Sequence, residues 1–240
     1  MNRRFLTLIA LLLSMTAAVF ASGDRIRVAC VGNSITYGYL VEDREHNAWP
    51  FKLQTMLGDK YEVGNFGKSR STLLEKGHYP YVNQPEYKAA LEFKPDIVVI
   101  HLGVNDTDPR NWPNLNGEFV GDYVRLIDSF RKVNPNVRVM IALLSPLSAK
   151  HPRFRSGTRD WRLEVQQKIM DVAKATGAEL IDFNEPLRDY QNLLPDGIHP
   201  NAEGEAMLAE AARGALTGDY GGMKLPAVYQ SGMVLQRNRP

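Results

Sequence analysis

Five short apolar runs recur along the chain: Ile26–Gly32, Tyr61–Asn65, Asp96–Leu102, Val137–Leu144 and Ala178–Phe183. They are rich in β-branched residues and mostly continuous, the pattern of strands covered on both faces. Between them the apolar spacing changes to three and four. Phe119, Val120, Tyr123, Val124, Ile127 and Phe130 mark one helical face; Leu163, Ile169 and Val172 mark a second; Ala206, Leu208, Ala209 and Ala212 mark a third. Asn134-Pro135 and Thr176-Gly177 punctuate helix ends, and Pro200 suits the start of the last helix. Alternating β and α segments predict an α/β fold, a three-layer sandwich about a five-stranded parallel sheet with right-handed crossovers.

The ends of the chain carry a different pattern. Arg3 and Arg4 precede the apolar stretch from Phe5 to Phe20, and Val19-Phe20-Ala21 supplies small residues at a cleavage position, so residues 1–21 read as a signal peptide. An uncleaved anchor is the alternative, although the run is short for a span and contains Ser14 and Thr16. Export to the bacterial periplasm or medium, with no stable membrane insertion after cleavage, is the expectation. Gly218 to Gly222 reads as a linker. Beyond it Leu225–Tyr229 and Met233–Arg237 resume strand-like composition. The expected organisation is a domain over 25–216, followed over 217–240 by a linker and the start of a truncated second domain.

Charge narrows the partners. The chain has 29 basic and 27 acidic side chains; losing Arg3 and Arg4 leaves 27 against 27. Such a balance offers no electrostatic drive toward nucleic acid or an anionic membrane. Cys30 is the single cysteine and lies in the first apolar run, so it reads as a buried thiol with neither disulfide nor metal role.

The chemistry-bearing residues follow the strands. An open parallel sheet forms its sites outside the carboxyl ends of its strands. Gly32-Asn33-Ser34 follows the first run, and a serine at a strand-to-helix junction exposes its oxygen beside backbone N–H groups. A helix cap is the commoner reading of one such serine, and a phosphate-cradling turn is another. Asp196-Gly197-Ile198-His199 lies after the fifth run. Histidine can take a serine's proton, and a carboxylate three residues earlier can fix its tautomer across a tight turn. Gly67 and Asn105 follow the second and third runs, where a backbone N–H and a side-chain amide could join the Ser34 N–H in holding an oxyanion.

Taken together, this order resembles the SGNH, or GDSL-like, hydrolases over Arg25 to Leu216, and the four residues of that name fall on Ser34, Gly67, Asn105 and His199. Where the family usually has Asp, this chain has Asn33, whose amide oxygen can still accept a backbone hydrogen bond. The resemblance implies a flavodoxin-like fold and a catalytic set of Ser34, Asp196 and His199. It also implies an oxyanion hole of Ser34, Gly67 and Asn105, with acyl transfer through a serine ester and neither cofactor nor metal.

Substrate residues are read from the loops: His78, Tyr79, Tyr81, Arg110, Trp112, His151, Arg153, Arg155 and Arg159. Of these Arg110, Trp112, Tyr81 and Arg155 are taken as sugar contacts, because rings stack on pyranoses and guanidinium forks match carboxylates. The segments Leu225–Tyr229 and Met233–Arg237 resemble the opening of a sialate O-acetylesterase domain. That resemblance points to acetyl removal from a glycan, sialic acid included, with acetyl-xylan or another acetylated polysaccharide as the alternative carrier. A lysophospholipase or thioesterase of the same family, or a non-catalytic flavodoxin-like binding module, are the competing readings.

Overall fold

The computed structural model describes residues 25–220; the leader (1–21) and the tail segments Leu225–Tyr229 and Met233–Arg237 lie outside the described residues. Five parallel strands form one sheet: β1 (Ile26–Gly32), β2 (Tyr61–Gly67), β3 (Ile97–His101), β4 (Arg138–Leu143) and β5 (Glu179–Asp182), in the order β2-β1-β3-β4-β5. The chain leaves β1 in one direction to reach β2 and returns to the other side of β1 as β3. The strand order therefore reverses at β1, where α/β sheets open a crevice.

Alternation along each strand divides the core in two. Ala29, Val31, Val98, Ile100, Val139 and Ile141 face one layer; Val28, Cys30, Val99, Met140 and Ala142 face the other. The first layer is covered by α4 (Pro85–Glu92), α5 (Phe119–Val133) and α6 (Thr158–Thr176), the second by α3 (Trp49–Leu57) and α7 (Ala202–Thr217). Phe119, Tyr123, Ile127 and Phe130 of α5 are fully buried, each such side chain contributing about 1.5–3 kcal/mol relative to exposure. The short α1 (Ser34–Tyr37) and α2 (Arg44–Asn47) complete the α-helices among the described residues.

Several details differ from the sequence reading. Leu163 is 63% exposed, and Val165, Ile169 and Val172 form the buried stripe of α6 instead. α3 and α4 went unpredicted, because nine and eight residues leave too few turns for an apolar period to emerge. Pro200 precedes α7 rather than opening it; Asn201 is the cap, its side chain accepting the Gly204 N–H. Cys30 is buried in the second layer, which pushes its thiol pKa up and suits an inert role.

Candidate active site

The loop after β1 and the loop before α7 meet at the carboxyl edge of the sheet. Asn33 caps α1, its Oδ1 accepting the Ile35 N–H at 3.0 Å, and its Nδ2 donates to the His101 carbonyl of β3 at 3.4 Å. The amide oxygen accepts a backbone hydrogen bond as its place in the sequence leads one to expect, while the tie to β3 through Nδ2 is seen only in the structure.

Opposite it, Asp196 organises a turn. Its Oδ1 accepts the N–H groups of Ile198 (3.0 Å) and His199 (2.8 Å), while Oδ2 accepts the His199 Nδ1–H at 2.6 Å. Gly197 makes the turn possible at φ +86°, a left-handed conformation that side chains resist. Partial burial acts to raise the Asp196 pKa, but the hydrogen bonds from the His199 ring and the two N–H groups outweigh it, so the carboxyl stays below its ordinary range. With Nδ1 protonated toward the carboxylate, His199 Nε2 is the acceptor, and it lies 2.8 Å from Ser34 Oγ. Hydroxyl, imidazole and carboxylate form one hydrogen-bonded line between residues 165 positions apart. The Tyr39 ring packs edge-on to His199 at 5.0 Å.

A pocket of about 250 Å³ opens on this line, bordered by Ser34, Tyr39, Ser69, Arg70, Asn105, His151, Arg153, Ile198 and His199. Asn105 is held from both ends of its amide. Nδ2 donates to the Ser71 carbonyl at 3.0 Å, and Oδ1 accepts from Arg153 Nη1 at 3.1 Å. An amide nitrogen carries two hydrogens, so one is left for the pocket.

Gly67 does not occupy the place expected of it. It is absent from the pocket rim, and its N–H donates to Asn65 Oδ1 at 2.9 Å. Its glycine identity serves packing, since a Cβ there would lie 2.2 Å from the Tyr37 backbone nitrogen in α1. The residues of this segment that do border the pocket, Ser69 and Arg70, belong to the turn Lys68–Ser71, closed by the Ser71 N–H donating to the Lys68 carbonyl at 3.2 Å. Arg70 takes its third position at φ +74°, the sign a type II turn demands and the place where glycine is usual. Among the described residues, neither the Ser34 nor the Arg70 backbone N–H has an acceptor. Arg70 was missed because no propensity rule puts an arginine at a left-handed position.

The expected sugar contacts need correction too. Tyr81 and Trp112 are fully buried; the Tyr81 hydroxyl donates to the Phe66 carbonyl at 2.7 Å and Trp112 Nε1 donates to Glu164 at 2.9 Å. Both rings pack the interior rather than face a ligand. Arg110 lies outside the pocket rim, its guanidinium fork closed on Asp108 through Nε and Nη2, each at 2.8 Å. The Arg155 side chain lies outside the described residues. His151 and Arg153, also singled out in the loops, do border the pocket.

No helix among the described residues is long and apolar enough to cross a membrane. Nor does any group of three or more His, Cys, Asp or Glu among them suit a metal ion.

Comparison with known proteins places the chain in a family. Residues 30–207 match the family model described as GDSL-like lipase/acylhydrolase. The chain belongs to that family. An acetylxylan esterase of Xylanibacter ruminicola is 38% identical over 209 residues, covering 80% of this chain and 43% of the relative, so the chain spans less than half of that protein's length. Among solved structures, a carbohydrate acetylesterase from Sinorhizobium meliloti superposes with a TM-score of 0.68 at 20% identity, over 81% of this chain and 99% of that one. An aryl esterase of M. smegmatis gives 0.66 at 19% identity, over 80% and 98%. At such identities these two structures speak for the shared fold. The GDSL-like chain thus has the α/β architecture that its apolar runs predict.

Proposed function

We propose that this chain is a serine esterase that removes short acyl groups, acetyl foremost, from O-acetylated carbohydrates. The observation that carries the reading is the unbroken line Ser34 Oγ, His199 and Asp196 at 2.8 and 2.6 Å, opening on a pocket. The acetylxylan esterase relative supports acetyl as the acyl group and a polysaccharide as its carrier. The small pocket supports a short acyl chain over the long one of a lysophospholipase or thioesterase. Sialic acid as the sugar rests on the tail segments Leu225–Tyr229 and Met233–Arg237 alone, and export on Arg3, Arg4 and the apolar run Phe5–Phe20.

The chemistry follows from the arrangement. Ser34 Oγ attacks the ester carbonyl carbon while its proton passes to His199 Nε2. The charge that develops on the carbonyl oxygen is met by the Ser34 N–H, the Arg70 N–H and the Asn105 Nδ2–H. Collapse of this intermediate breaks the bond to the sugar oxygen, which takes the proton from His199 and departs as the free alcohol. Water then gives its proton to the same nitrogen as its oxygen attacks the acyl-serine carbon; this second intermediate breaks the bond to Ser34 Oγ, which takes the proton back from His199, and acetate departs. Throughout, the Asp196 carboxylate holds the imidazole in the productive tautomer and stabilises its charged form.

A chain-length series of p-nitrophenyl esters tests the reading. The acetate ester should be hydrolysed faster than the long-chain esters, and Ser34→Ala should abolish all turnover. Full activity in Ser34→Ala, or a preference for the long esters, overturns it.

A further inference from the structure

The pocket beside Ser34 is bordered by positive charge. Arg70 and Arg153 both border it, and Arg110 stands behind them. Arg110 is itself paired with Asp108, taking both of its oxygens in a fork at 2.8 Å. Arg153 reaches the same carboxylate only at 4.0 Å, and spends Nη1 on Asn105. Half-burial of Arg153 pushes its pKa down; Asp108 opposes this, while Arg110 and Arg70 push it down further, as expected where cations crowd. The Arg70 guanidinium lies 5.7 Å from the centre of the Tyr79 ring, and among the described residues it forms no ion pair. The remaining acid of the site, Asp196, is committed to His199.

We propose that Arg70, backed by Arg153, forms an anion subsite for a carboxylate carried on the sugar, so that the preferred substrate is the acetyl ester of an acidic pyranose, a uronic or sialic acid. The inference rests on the esterase reading and names the substrate class of that same pocket. A guanidinium presents paired N–H groups in the plane that a carboxylate accepts, and it stays charged at every physiological pH. Arg70 also holds a left-handed turn position that glycine usually takes, and such strained positions cluster at ligand sites. An acidic sugar supplies the Arg70 guanidinium with an ion-pair partner beside the nucleophile, and a neutral one does not.

The test compares two esters on the full chain. Mono-O-acetyl methyl glucuronide and mono-O-acetyl methyl glucoside, acetylated at the same position, differ only in the carboxylate, and mono-O-acetyl N-acetylneuraminate is a third arm that separates the sialic from the uronic source. The expected kcat/KM ratio of acidic to neutral ester is about tenfold, the scale of one hydrogen bond to a charged group, and it should shrink as salt is raised. Arg70→Gly removes the guanidinium while keeping the backbone N–H and relieving the turn, and should bring the ratio close to one. Arg70→Lys should restore part of it. A wild-type ratio near one for both acidic arms overturns the subsite and leaves the esterase reading standing, as does a ratio unchanged in Arg70→Gly. Hydrolysis of none of the three esters, nor of p-nitrophenyl acetate, overturns both.

Discussion

Asp106 is a buried carboxylate whose removal should be felt both in stability and at the site. It follows Asn105 directly, is fully buried, and accepts the Leu73 N–H at 3.0 Å and the Leu74 N–H at 2.7 Å, pinning the segment that begins with Ser71, whose carbonyl holds Asn105. Asp106→Ala orphans both donors. An unsatisfied buried N–H costs about 1–3 kcal/mol, so the pair together should destabilise the fold by about 4 kcal/mol, or roughly 8–16 °C in Tm for a domain of this size. Burial pushes the Asp106 pKa up to about 6, against the two N–H groups, from 3.8. The folded state therefore binds the proton more tightly than the unfolded chain. The stability this confers is fully present below about pH 4 and is withdrawn as pH rises through 6, by about 3 kcal/mol in all. Asp106→Asn keeps one acceptor and cannot ionise. Its Tm relative to wild type should thus become more favourable between pH 4 and 7. Differential scanning calorimetry across that range reads both effects. An Asp106→Ala Tm within 2 °C of wild type, or an Asn variant whose Tm difference is flat with pH, refutes the reasoning, the thresholds being set by the per-kcal/mol scale used above.

Asp196→Asn retains the acceptor for the two backbone N–H groups but loses the carboxylate facing His199, so kcat on p-nitrophenyl acetate should fall by about 10³–10⁴ with Tm nearly unchanged. Asn105→Ala removes a donor from the proposed oxyanion hole and should lower kcat by about 10²–10³, with KM moving far less; steady-state kinetics separate the two. Gly67→Ala forces a Cβ against the Tyr37 backbone, so it should lower Tm and, by displacing α1 and Ser34, activity together. Denaturant unfolding of this variant should show a loss above about 1 kcal/mol.

The architecture was legible because each strand is a continuous apolar run and each long helix repeats its apolar side chains over several turns. All five strands fall within two residues of the runs that predict them, and α5, α6 and α7 span the predicted helical stretches, although Leu163 of α6 turns outward. The α3 and α4 helices were not legible, since their amphipathic period spans barely two turns. Ser34, Asp196 and His199 could be singled out because a strand-end serine and an Asp-x-x-His turn each have a local signature. The proposed oxyanion partner of Ser34 had none. Glycine drew attention to Gly67, whereas its N–H is consumed by Asn65 and the left-handed turn at the pocket falls on Arg70. Tyr81 and Trp112 likewise look like sugar platforms in a loop sequence, yet both are interior.

The sequence by itself determined the layering, the strand count and the local turns that present Ser34 and Asp196, because these depend on periodicity and on contacts between residues close along the chain. Tertiary structure decided which of the remaining polar and aromatic groups meet at the crevice. The reversal of strand order at β1 brings residues 34, 70, 105, 153 and 199 to one rim, and whether a tyrosine faces that rim or the core depends on how loops from separate strands pack, which no local pattern encodes.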